Sequence, residues 1–171
     1  MQQNTKNSLT KKEVEFGLRV LEQYAQHHGF SVGYSTNKHS NSWISFKTKR
    51  IVIHDGSTKE SRMYDLIHEL GHMYHQLDTD KYQGKFLNHM TEFSKSSQVY
   101  RMKILEEEID AWNVGLRLAK RLGVKVNSRS FERRKASKVA TYAAWVVANK
   151  QVKSPKLSDL DKHEQPIPTD N

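Results

Sequence analysis

The sequence predicts an α+β domain in which a small antiparallel sheet of about three strands packs with about four helices. Three short runs between residues 30 and 54 are rich in β-branched and aromatic residues, which is typical of strands. On either side of this region, apolar residues recur every three or four positions and so mark one face of a helix. The chain has 171 residues, enough for one domain with a single core.

The composition narrows the class of protein. The chain has no cysteine, which excludes a disulfide scaffold and a cysteine-ligated zinc site. It shows neither a secretory signal nor an apolar run near the roughly 20 residues that span a membrane, so we expect a cytoplasmic protein without membrane contacts. We expect residues 1–9 to be disordered, residues 10–150 to form one domain, and residues 151–171, which hold all three prolines, to form a flexible tail.

The first half of the chain is predicted to contain two helices and the sheet. The first helix begins at Thr10, the first residue of a capping box, and ends near Gly29. Three strands follow as FSVGYS (30–35), SWISF (42–46) and RIVIH (50–54). The short connection between the last two runs predicts a hairpin. A second helix is expected over residues 58–77, opened by a capping box of Ser57 and Glu60.

The second half is predicted to hold two further helices. Residues 78–98 form a long polar segment, which we interpret as a flap over a site with a short helix near residues 86–93. A helix over residues 99–122 has apolar residues on two sides and should therefore lie between other elements. A basic helix over residues 128–150 completes the domain.

Residues 68–72 in the second helix read HELGH, an H-E-x-x-H pattern. His68 and His72 are four residues apart, so both imidazoles lie on one helix face and can bind a single Zn²⁺. Glu69 is rotated from His68 by about 100°, which lets it reach a metal-bound water without ligating the metal. The metal lowers the pKa of that water towards about 7, and the carboxylate accepts its proton as the water attacks a carbonyl. The motif therefore predicts a hydrolytic site with Glu69 as general base.

A catalytic zinc site takes a third protein ligand. The candidates are Glu106, Glu107 and Glu108 on the third predicted helix, and His75, Asp78 and His89. His75 is disfavoured, because three ligands on one straight helix surround a metal poorly. Glu108 fits best, since its helical neighbours are apolar or small and a buried carboxylate needs a partner. Glu106 falls on a polar stripe, and Glu107 remains open.

A later pattern, E-x-D-A-W-x-x-G, comprises Glu108, Asp110, Ala111, Trp112 and Gly115. HELGH followed by this pattern resembles the ImmA/IrrE family of small gluzincin-type metallopeptidases over roughly residues 43–120. The resemblance implies a zincin-like fold, in which His68, His72 and Glu108 hold the zinc and Glu69 is the general base. The family pattern is E-x-E-A-N-x-F-A-like, so Trp112 stands where the family has Asn. An alignment by E-x-x-x-D, as in thermolysin-like enzymes, would instead select Glu106, supported by Asp110.

The family resemblance also implies a function. Members cleave intracellular and often regulatory proteins, some cut a transcriptional repressor, and such genes are common in phages and mobile elements. We therefore expect an intracellular zinc endopeptidase that acts on a protein substrate such as a transcriptional regulator. The group that stabilises the transition state stays open among Tyr74, Tyr82, His89, Tyr100 and Tyr142.

Charge supports an alternative function. The formal net charge is +9, yet residues 113–156 alone contain 12 lysines and arginines against one acid, Glu132. Such a segment can face nucleic acid or an acidic protein. The alternative is a catalytically idle binding module, with zinc structural or absent, that uses basic residues such as Arg133, Arg134, Lys135 and Lys138.

Overall fold

The computed structural model describes residues 8–36, 41–77, 93–94 and 97–148. In chain order the described elements are α1 (Lys11–His27), β1 (Ser31–Ser35), β2 (Trp43–Ser45), β3 (Arg50–His54), α2 (Lys59–Leu77), α3 (Gln98–Arg121) and α4 (Ser128–Val147). The predicted α+β class is confirmed, with three strands and four helices in these ranges. The predictions for residues 1–7, for the 86–93 helix and for the 151–171 tail lie outside the described residues.

The sheet is mixed, and the prediction of an antiparallel sheet is wrong for one of its two pairs. β3 lies in the centre, antiparallel to β2 but parallel to β1. The predicted β2–β3 hairpin is confirmed, with Trp43 opposite Val52. The reason for the order lies in β3, whose residues Ile51, Val52 and Ile53 are all buried. A strand that is apolar on both faces takes the central position, which leaves the shorter β2 at an edge.

The helix ends follow local capping chemistry. Thr10 caps α1, and its hydroxyl accepts from the Glu13 amide at 3.2 Å while the Glu13 carboxylate accepts from the Thr10 amide at 2.8 Å. At the start of α2 the capping hydroxyl belongs to Thr58, which accepts from the Ser61 amide at 3.2 Å, so the predicted Ser57 cap is one residue too early. None of the described helices has the length and apolar character needed to cross a bilayer.

Helices α2 and α3 cross with their backbones in contact. A Cβ on Gly71 of α2 would overlap the backbone carbonyl oxygen of Ala111, and a Cβ on Gly115 of α3 would overlap that of Ile67. Only glycine allows this approach at the two positions. The crossing therefore brings the α3 segment that carries Glu108 directly over the HELGH turn of α2.

Helix α4 is attached to this pair by polar contacts near both of its ends. Arg134 forms a bidentate ion pair with buried Asp65 of α2, with Nε–Oδ1 and Nη2–Oδ2 distances of 2.9 and 2.6 Å. At the other end, the buried Arg101 of α3 donates to the carbonyl oxygens of Trp145 and Ala148 at 3.1 and 2.7 Å. Cationic donors suit these carbonyls because the helix C-terminus is the negative end of the dipole.

Candidate metal centre

The structure brings His68, His72 and Glu108 together between α2 and α3. The Nε2 atoms of the two histidines are 3.3 Å apart. The Glu108 carboxylate oxygens lie 3.1 Å from His68 Nε2 and 3.5 Å from His72 Nε2. Zinc–nitrogen and zinc–oxygen bonds of about 2.0–2.1 Å in a tetrahedron place two ligand atoms about 3.4 Å apart. The separation of the two imidazole nitrogens, and the distance from each of them to its nearer Glu108 oxygen, lie close to that value, so this donor set can accommodate a zinc ion.

Glu69 lies beside these donors. His68, Glu69 and His72 each offer one ligand atom, and these three atoms lie within 4.8 Å of one another. The Glu69 carboxylate is therefore close enough to reach a water bound to a metal between the two histidines. Its side chain is buried, and it lines the same cleft as Glu108. The group of four therefore offers two imidazoles and two carboxylates, of which Glu108 comes from the opposite helix and surrounds a metal better than Glu69 can.

The three consecutive glutamates of α3 have different surroundings. Glu106 is exposed and pairs with Lys103 at 2.8 Å, away from the histidines. Glu107 lies on the outer side of His72, with its carboxylate oxygen 3.7 Å from Nδ1. Glu108 is 7 % exposed and lies against the Nε2 atoms. Glu107 can thus orient the His72 ring from its second nitrogen, while Glu108 occupies the ligand position.

His75, the one remaining ligand candidate among the described residues, does not join this group. His75 contacts Asp110 instead, with Nε2 and Oδ2 3.1 Å apart, and the pair links α2 to α3 one turn beyond the metal centre. Burial and the neighbouring His72 lower the pKa of His75. The thermolysin-like alternative placed Asp110 in support of Glu106, but here Asp110 supports His75. Asp78 and His89 lie outside the described residues.

The electrostatics of the centre favour a cation. Burial by itself would lower the pKa of His72, but the carboxylates of Glu108, Glu107 and Glu69 outweigh burial and raise it to about 10. Three carboxylates in a site shielded from water create a strongly negative potential. A divalent cation held by neutral imidazoles would satisfy the same potential, as metal sites require.

A narrow cleft with a cavity volume of about 20 Å³ adjoins the centre. Its lining includes His68, Glu69 and Glu108, together with Lys138 and Tyr142 of α4. Burial, together with the carboxylates of Glu108, Glu69 and Glu107, raises the pKa of Tyr142, so its hydroxyl keeps its proton. Among the described candidates for the transition-state donor, Tyr142 alone lines this cleft.

The other two described tyrosines named from the sequence do not line this cleft. Tyr100 is buried in an apolar cluster with Ile104, Trp145 and Tyr142. Tyr74 packs beneath the Arg121 guanidinium, whose carbon is 5.1 Å from the ring centre. Tyr82 and His89 are outside the described residues.

Sequence reasoning named Tyr142 of α4 as a candidate for this site but did not predict that Lys138 of the same helix lines the cleft. Arg134, Lys138 and Tyr142 are spaced by four residues and so share the helix face that meets α2. The four-residue spacing could have predicted that these side chains share one helix face. The basic composition of the segment instead favoured the interpretation that this face is exposed to solvent. Arg134 binds Asp65, Lys135 donates to Asn113 at 2.7 Å, and Lys138 lines the cleft, so only Arg133 of these four basic residues is fully exposed.

The resemblance to a peptidase family rests on the motif residues of the sequence alone. Comparison of the chain with protein-family models, with curated proteins and with solved structures finds no match. The chemistry that the site can support must therefore be argued from its own residues.

Proposed function

We propose that this protein is a zinc-dependent endopeptidase. The observation that carries the proposal is the convergence of Glu108 from α3 on His68 and His72 of α2, at 3.1 and 3.5 Å, with Glu69 beside them. Two histidines and a glutamate as ligands, plus a carboxylate next to them that does not ligate the metal, are the set that zinc hydrolases of the H-E-x-x-H type use. A narrow cleft adjoins three of these side chains, His68, Glu69 and Glu108.

Each side chain has a distinct role in peptide hydrolysis. When bound, zinc would supply Lewis-acid polarisation of the scissile carbonyl and a lowered pKa for the nucleophilic water. The Glu69 carboxylate accepts the proton of the attacking water and returns it to the leaving amine nitrogen. The Tyr142 hydroxyl, which lines the same cleft, donates a hydrogen bond to the carbonyl oxygen as it becomes negative. The Glu107 carboxylate, 3.7 Å from Nδ1, attracts the His72 ring on the side away from Glu108.

We propose an intracellular regulatory protein, such as a transcriptional regulator, as the substrate. This assignment comes from the resemblance of HELGH and the later Glu108 motif to ImmA/IrrE peptidases. A peptide library derived from a bacterial proteome, analysed by mass spectrometry after incubation with zinc-loaded protein, tests for cleavage. Peptides cut by the wild type and left intact by Glu69→Gln would establish endopeptidase activity, because this variant should keep both fold and metal. Equal cleavage by the two proteins would make the mechanism wrong.

Metal content tests the ligand set directly. We expect about one zinc per wild-type chain by inductively coupled plasma mass spectrometry, as in single-metal hydrolases. Glu108→Ala should lose it, while Glu106→Ala should retain it because Glu106 is exposed and paired with Lys103. Loss of zinc in Glu106→Ala alone would identify Glu106 as the third ligand. A wild type without zinc, even after reloading, would contradict the proposal and favour the basic binding module.

That alternative receives less support from the structure. Two of the basic residues that it would use, Arg134 and Lys135, are engaged with Asp65 and Asn113 within the chain. Phosphate contacts need cationic side chains that are available at the surface.

A further inference from the structure

We propose that Trp112 is a positioning residue that sets the orientation of His68 for metal binding; this inference rests on the proposed zinc site. The indole of Trp112 stacks flat on the His68 imidazole, with ring centres 4.5 Å apart and an angle of 18° between the planes. Both side chains are buried, at 1 % and 4 % exposure. The contact therefore covers one whole face of a ligand ring.

The indole is itself held in place from its other side. Phe131 of α4 meets it edge to face, with ring centres 5.4 Å apart and an angle of 71°. Phe131 in turn meets Tyr64 of α2 at 5.4 Å and 85°. Aromatic pairs prefer these offset and edge-to-face geometries, which add attraction beyond the burial of the rings. The chain of four rings spans three helices and prevents the indole from turning.

The position of Trp112 on α3 couples it to the ligand set. Glu108 and Trp112 are four residues apart on α3, as His68 and His72 are on α2, so the two pairs face each other across the Gly71–Gly115 crossing. The same face of α3 thus delivers the carboxylate ligand and the surface that orients one imidazole.

Stacking matters because the histidine ring has little torsional preference of its own. The χ2 torsion of histidine is broad and roughly two-fold, so the ring plane is set by its surroundings. With the indole flat against it, the His68 ring can turn only within a narrow range, and Nε2 stays 3.1 Å from Glu108 and 3.3 Å from His72 Nε2. A side chain without a flat face would fill the space and leave the ring free to swing Nε2 out of the donor set.

The experiment measures metal affinity rather than activity. Zinc dissociation constants are determined by chelator competition for wild type, Trp112→Phe and Trp112→Leu, and the visible spectrum of the cobalt-substituted proteins reports coordination geometry. Trp112→Phe retains a flat face and should bind zinc within about 3-fold of wild type, whereas Trp112→Leu should weaken binding about 10–100-fold, the range for residues that orient ligands. The cobalt spectrum should change only in Trp112→Leu.

Two further variants separate positioning from packing. Trp145→Leu removes another buried tryptophan, from the cluster that it forms with Tyr100, Ile104 and Tyr142, and should lower thermal stability without changing zinc affinity, because none of these residues is a proposed metal ligand. Phe131→Leu keeps Trp112 but removes the ring that packs against it, and it should weaken zinc binding by a smaller factor than Trp112→Leu. If Trp112→Leu does not fold, Phe131→Leu takes its place as the test of the positioning role.

The outcomes distinguish this inference from the proposed function. If wild type binds zinc and Trp112→Leu, or Phe131→Leu in its place, binds equally well with an unchanged cobalt spectrum, the positioning role of Trp112 is wrong and the peptidase proposal stands. Equal losses in Trp112→Leu and Trp145→Leu would likewise overturn it, because the effect would then be general destabilisation. A wild type that binds no zinc would overturn both.

Discussion

Two regions of the molecule hold the candidate site together by different means. The crossing of α2 and α3 rests on backbone contact at Gly71 and Gly115, where no side chain fits. The attachment of α4 rests on side-chain contacts, the Asp65–Arg134 pair and the Arg101 hydrogen bonds. The first region carries the proposed metal ligands, and the second carries Tyr142. Backbone atoms in contact cannot move aside for an added side chain. The α2–α3 crossing should therefore be more sensitive to substitution than the attachment of α4.

Gly71→Ala should have the largest effect. The added methyl group would overlap the Ala111 carbonyl oxygen, and because backbone cannot rotate away, the two helices must separate. We expect a loss of about 3 kcal/mol or more in the free energy of unfolding, at the upper end for overpacking, together with loss of bound zinc. Urea denaturation and metal analysis measure both. Gly33→Ala is the matched control, since its Cβ would meet only the Arg50 guanidinium at 3.6 Å. Retained zinc in Gly71→Ala would contradict this account.

Arg134→Met should destabilise the protein while leaving the metal ligands in place. The substitution removes the ion-pair partner of the Asp65 carboxylate, whose side chain is only 3 % exposed. Breaking a buried pair costs about 3–5 kcal/mol, and we expect about 2–3 because the Arg134 side chain is 24 % exposed. The double variant Asp65→Leu with Arg134→Met should recover part of the loss, since it leaves no unpaired charge. Zinc stoichiometry should stay near wild type, and a loss as complete as in Gly71→Ala would remove the distinction between the two regions.

Tyr142→Phe should change catalysis without changing metal content. The variant removes a hydroxyl from the lining of the cleft that Glu69 also lines, and leaves the ring to pack. Removing one transition-state donor lowers kcat about 10²–10³-fold, and KM should change little. Steady-state kinetics on a peptide identified by the library screen give both parameters. Unchanged kcat would exclude Tyr142 as the donor.

The smallest effect should come from the start of α1, distant from both regions. Hydrogen bonds from Lys125 and Thr10 lower the pKa of Glu13 from 4.5 to about 2. A lowered folded-state pKa means that this stabilisation is complete above about pH 4.5 and is lost as pH falls through about 2. Lys125→Met should therefore reduce the difference in urea midpoint between pH 7 and pH 3. An unchanged difference would show that the Lys125 contact at 2.7 Å does not act in solution.

Local chemistry was enough to predict the elements and part of the site. Capping at Thr10, the apolar periodicity of the helices and the hairpin depend on neighbours close in sequence, and the structure has all three. The pairing of His68 with His72 follows from helix geometry alone. Helical phase also favoured Glu108 over Glu106, because burial of a helix face repeats with the helix period.

Only the tertiary structure decided how these elements meet. The parallel β1–β3 pair arises because the most apolar strand takes the centre of the sheet, which no local pattern specifies. The stack of Trp112 on His68 and the entry of Tyr142 into the cleft depend on how three helices cross. The sequence by itself determined which side chains could bind a metal, since spacing along a helix is a local property. Their distances and their supporting contacts required the close approach at Gly71 and Gly115, since separations between helices depend on packing across the whole core.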